Sequence, residues 1–95
     1  MLPKKYIGAY KQVEGNVDGL EVTVKNSLKP EFFNPVIKEQ YSVVGEGYTG
    51  AVVVLEVDAD EVPDNPDSFA SKNNIDNILI SDSVRKASNE VKPDN

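Results

Sequence analysis

The 95-residue chain has no cysteine, no histidine and no tryptophan, and these absences remove much chemistry before any pattern is read. Without cysteine there is no disulfide framework, no thiolate nucleophile and no zinc–thiolate centre. Without histidine, the side chain that most often moves protons near neutral pH is missing. Long apolar runs are also lacking: the longest unbroken one is Ala51 to Leu55, whereas a helix that spans a bilayer needs roughly 20 residues. The opening MLPKKYIGAYKQ contains no apolar segment of signal-peptide length. The expectation is a cytoplasmic protein with no membrane segment, and the absence of cysteine suits a reducing compartment.

What is present describes one small globular domain. A hydrophobic content of 39% and a charged content of 27% allow a single modest core. The net charge of −6 argues against tight non-specific binding of duplex DNA through a basic surface. Its distribution is uneven. Residues 1–45 carry six lysines against five acids (+1), while residues 46–95 carry three lysines and one arginine against eleven acids (−7). Six of the seven aromatic residues, Tyr6, Tyr10, Phe32, Phe33, Tyr41 and Tyr48, lie in the first 48 positions.

Alternation and punctuation predict mainly β structure. Residues 4–13 (KKYIGAYKQV) set Tyr6, Gly8 and Tyr10 on one side and Ile7 and Ala9 on the other, which predicts a strand. Asp18-Gly19 is a strong turn dipeptide and predicts a hairpin into LEVTVK at 20–25, where Leu20, Val22 and Val24 alternate with polar residues. Pro30 and Pro35 bracket a loop, in which Phe32 and Phe33 cannot both point inward from adjacent extended positions. Strands follow at 36–44 and 48–57, joined through Gly45, Glu46 and Gly47, the second being central by its apolar middle. Six carboxylates and two prolines in EVDADEVPDNPD predict a solvated acidic loop at about 58–74. IDNILI at 75–80 reads as a last strand. Ser81 or Asp82 then caps a short helix carrying Val84, Ala87 and Val91, and the end KPDN reads as a polar tail. The expected fold is a small five-stranded antiparallel barrel or sandwich, with an OB-like barrel among its forms. Residues 1–81 form this β domain and 82–95 a short helix and flexible tail, and the core draws on Leu20, Val22, Val24, Val52, Val54, Leu55, Ile78 and Ile80.

Several constellations of side chains bear on chemistry. Asp58, Asp60, Glu61, Asp64 and Asp67 offer oxygen ligands, but they lack the glycine and glutamate spacing of a calcium loop and prolines interrupt them, so no metal or other cofactor is expected. No feature marks the apolar pocket that would hold one acid of a catalytic pair protonated, so no enzymatic role is expected. Gly45, Gly47 and Gly50 have no lysine after them and precede a strand, which favours a hairpin turn over a phosphate loop. The favoured ligand is single-stranded nucleic acid, with Tyr6, Tyr10, Tyr41 and Tyr48 stacking on bases and Lys5, Lys11, Lys25 and Lys38 following the backbone. The alternative is a protein-interaction module or nucleic-acid mimic, of the kind a phage or mobile element encodes. It would present Asp58, Asp60, Glu61, Asp64 and Asp67 to a basic protein surface. A homodimer is expected if the apolar strand 51–55 lies at an edge.

Overall fold

The computed structural model describes residues 3–93. It contains four strands, β1 (Lys4–Glu14), β2 (Val36–Gly45), β3 (Tyr48–Asp58) and β4 (Asn77–Ser81), and three α-helices, α1 (Leu20–Leu28), α2 (Pro66–Lys72) and α3 (Val84–Glu90). The strands form one open sheet in the order β2-β3-β1-β4, with every neighbouring pair antiparallel. Element order and strand order together make the split β-α-β, ferredoxin-like arrangement, with α3 added on the opposite face. The fold is therefore β-rich and antiparallel as expected, but it has four strands rather than five. The sheet does not close into a barrel, because β2 and β4 remain as edges.

The difference arises at residues 20–25, which form α1 and not a strand. Leu20 and Val24 satisfy both a two-residue and a four-residue period, and Leu28 decides in favour of the helix. Leu20, Val24 and Leu28 are buried, while Val22 is 38% exposed. Gly19 is a helix N-terminus instead of a hairpin turn; its φ of 75° lets its carbonyl accept from the amides of Val22 and Thr23. Tertiary packing thereby overrides the strand preference of Val22, Thr23 and Val24. The expected acidic loop is also partly helical. Ala59–Glu61 form a 3-10 turn, and α2 starts at Pro66, with Asn65 as its cap accepting from the Ser68 amide at 3.1 Å.

The sheet has a packed layer on each face. Ile7, Ala9, Val53, Leu55 and Val57 face α1 and α2, where Leu28, Phe32, Ala70 and Ile75 complete the larger core. Phe32 stacks at a tilt against Phe69 with ring centroids 5.7 Å apart, whereas Phe33 is 78% exposed. On the other face Tyr10, Val52 and Val54 meet Ala87 and Val91 of α3 and its C-terminal edge. Gly8 is what lets α3 approach: a side chain there would run into the backbone carbonyl of Ala87. Ser83 caps α3 by accepting from the Lys86 amide at 3.1 Å, one residue beyond the two sequence candidates. Lys92 and Pro93 of the expected tail are placed, and Asp94 and Asn95 lie outside the described residues. Strand β3 is interior, flanked by β1 and β2, so 51–55 is not an edge. Among the described residues no helix is long and apolar enough to cross a membrane.

Candidate functional site

Strand alternation and register bring all four tyrosines to one face of the sheet. Tyr6 stands opposite Glu56, Tyr10 opposite Val52, Tyr41 also opposite Val52, and Tyr48 opposite both Glu14 and Gly45. This is the α3 face, and the helix covers much of it. Tyr10 is only 7% exposed. Its hydroxyl donates to Gln12 Oε1 at 2.6 Å, and its ring lies over Gly50, where an added Cβ would come within 2.5 Å of the hydroxyl. Burial, with the nearby Tyr48 and Asp76, raises the Tyr10 pKa above its ordinary value. Tyr6 donates to Glu56 Oε2 at 3.0 Å, and this bond to a carboxylate is the main cause of its raised pKa. Tyr41 bonds to Ser88 of α3 at 3.0 Å, Ser88 in turn donates to Glu39 at 2.7 Å, and Lys92 Nζ lies 5.4 Å from the Tyr41 ring centre.

Lys5, Lys11 and Lys25 do not follow the tyrosines. Lys5 and Lys11 occupy alternate positions of β1 and face the other side. Lys5 pairs with Asp82, whose pKa is lowered chiefly by that bond, and Lys11 donates to the Asn74 carbonyl at 2.7 Å. Lys25 lies on α1. Lys38 is the extra residue of a bulge in β2, 3.8 Å from Glu56. Lys4, on the tyrosine face, pairs with Asp58 at 2.5 Å, and that bond raises its pKa.

The acidic set is likewise divided. Asp58 ends β3, Glu61 accepts from the Phe33 amide at 2.8 Å, Asp67 sits in the first turn of α2, and Asp60, Asp64 and Asp67 are exposed. Among the described residues no three acidic side chains converge to hold a metal.

A concavity that gathers part of the tyrosine set lies where β1 runs past the end of β4. Its volume is about 540 Å³, and it is lined by Tyr10, Gln12, Val13, Glu14, Tyr48, Asp76, Asn77 and Pro93. Asp76 builds this corner. Its amide donates to the Tyr10 carbonyl at 3.0 Å and its carboxylate accepts from the Gln12 amide at 2.7 Å, which extends the β1–β4 contact by one step. The Tyr48 ring lies over Gly45, which leaves it no room for a Cβ. Each ring of the groove thus rests on a cross-strand glycine. Glu14 and Asp76, both exposed, put two carboxylates beside the two rings, and among the described residues no cation lines the groove. Tyr10 and Tyr48 are among the residues expected from the sequence to form a site, whereas Glu14 and Asp76 are not. Alternation along β1 already set Glu14 on the side of Tyr10, whereas nothing local tied Asp76 to either residue. No protein-family model, curated protein or solved structure matches the chain.

Proposed function

We propose that this chain is a non-catalytic binding protein whose site is the Tyr10–Tyr48 groove, and that the ligand is a basic side chain of a protein partner. The observation that carries the reading is the gathering of two tyrosine rings and two carboxylates in one cleft of about 540 Å³, with no cation among the described residues that line it. A lysine or arginine entering it would lay its apolar stem along a ring and hold its charge by Glu14 and Asp76. Cation–π contact contributes about 0.5–2 kcal/mol, more as the site loses water.

A second reading, single-stranded nucleic acid on the tyrosine face, rests on the four tyrosines sharing one side of the sheet. It requires α3 to leave, because bases stack only on open rings and Tyr10 is beneath the helix. Glu14, Glu39 and Glu56 also lie on that face, and Lys4 and Lys38 already stand beside Asp58 and Glu56.

Fluorescence-anisotropy titrations with a labelled oligolysine peptide and a labelled oligothymidine, at low and moderate salt, separate the two. The groove reading expects oligolysine to bind, to weaken as salt rises, and to lose about tenfold in affinity with Tyr48→Ala or with Glu14→Gln plus Asp76→Asn. Neutralising Asp60, Asp64 and Asp67 should change it much less. Binding of oligothymidine without oligolysine would overturn the groove reading in favour of nucleic acid, and binding of neither would sink both.

A further inference from the structure

The two edges of the sheet differ in length: β2 runs for ten residues and β4 for five. A long edge presents unpaired amides and carbonyls to any strand that can match it. On β2, Val43 and Val44 are 46% and 59% exposed and point to opposite faces of the sheet. We propose that β2 pairs antiparallel with β2 of a second copy of this chain, joining two four-stranded sheets into one across a two-fold axis at Ser42.

The bulge and the charges fix the register. Residues directly opposite each other in an antiparallel ladder share a face of the sheet. The extra residue Lys38 breaks the alternation of β2, so a regular ladder runs only over 39–45. A segment that pairs with itself over its full length centres on its middle residue, here Ser42. Tyr41 then stands against the partner's Val43 and Gln40 against the partner's Val44, which sets both exposed valines against cover. The Tyr41–Val43 match is an aromatic with a β-branched residue, a favourable cross-strand pair. One step beyond the ladder, Lys38 falls beside the partner's Glu46, and the two-fold axis makes this opposite-charge match occur twice. Moving the axis to Tyr41 puts Glu39 against the partner's Val43, and moving it to Val43 removes the match of Lys38 with the partner's Glu46. Tyr41 is already held by Ser88, so little ordering is needed at the centre of the seam.

A ladder of this length makes a small interface, and small interfaces associate weakly. Sedimentation velocity over a concentration series of the full chain therefore tests the seam, carried to the solubility limit. The wild-type chain should show a dimer fraction that grows with concentration. Glu46→Lys, in the exposed turn, would set lysine against lysine and should weaken association by about fivefold. Lys38→Glu combined with Glu46→Lys should restore it, while thermal unfolding at low concentration checks that each variant is folded. A chain that stays monomeric at every concentration would overturn the proposal, as would a dimer indifferent to Glu46→Lys or a charge swap that restores nothing.

Discussion

Thr49 is fully buried, and its hydroxyl joins two backbone groups of the segment between β1 and α1: it donates to the Gly15 carbonyl at 2.7 Å and accepts from the Val17 amide at 2.9 Å. Thr49→Val keeps the volume but leaves both groups without that partner, so a loss of about 1–2 kcal/mol is expected. It should appear in urea unfolding as a lower midpoint at unchanged slope. Tyr10 gives the alkaline counterpart. Its folded pKa is raised because burial disfavours the phenolate, so the neutral form's contribution to stability is fully present below the unfolded value near 10. That contribution is lost as pH rises from there through the folded value. Stability measured across that window should fall for the wild type and fall less for Tyr10→Phe, with phenolate absorbance reporting the ionisation directly. At this scale the sequence told which residues share a side of a strand, since Tyr6, Gly8 and Tyr10 alternate. It could not tell that Tyr10 would be covered, because the cover is Ala87 and Val91, more than seventy positions away.

Among elements, the strands were legible and α1 was not, for a physical reason. The four strands lie close to the stretches marked by β-branched and aromatic residues, Tyr48–Asp58 most plainly. In α1 the local signal points the wrong way: Val22, Thr23 and Val24 all lose rotamer freedom in a helix, and the N-cap is a glycine with no side chain to accept from the first turn. What holds the segment helical is burial of Leu20, Val24 and Leu28 against β3 and its neighbours. A peptide of residues 16–33 should accordingly show little helix by circular dichroism in water, although the same residues are helical in the folded chain. A peptide that is mostly helical alone would place the cause in local preference instead. Leu28→Ala in the intact chain should cost about 2–5 kcal/mol, because it empties a fully buried position at the end of this stripe.

At the scale of the whole molecule, the charge segregation so plain along the sequence is undone by the fold. Lysines of the first half meet carboxylates of the second, Lys4 with Asp58, Lys5 with Asp82 and Lys38 near Glu56, since β1 lies beside β3 and β4 and β2 lies beside β3. Counting charges by halves therefore described the chain but not its surface. The two layers are also unequal. The α1 and α2 side has a broad apolar core, whereas α3 is seven residues long and is held mainly by Ala87, Val91 and the polar ties of Ser88 to Tyr41 and Glu39. A helix this short has little stability of its own, so its docking should open before the sheet does. Native-state hydrogen exchange is expected to show α3 amides exchanging through a low-energy partial opening, and the β1–β3 pair exchanging only through global unfolding. Val91→Ala should speed exchange in α3 much more than in β1. If α3 amides instead match the protection of β1 and β3, α3 belongs to the same cooperative unit as the sheet. Stacking of bases on Tyr6 and Tyr10 would then require unfolding the protein, which removes the physical basis of the nucleic-acid reading and leaves the groove between Tyr10 and Tyr48 as the open part of the tyrosine face.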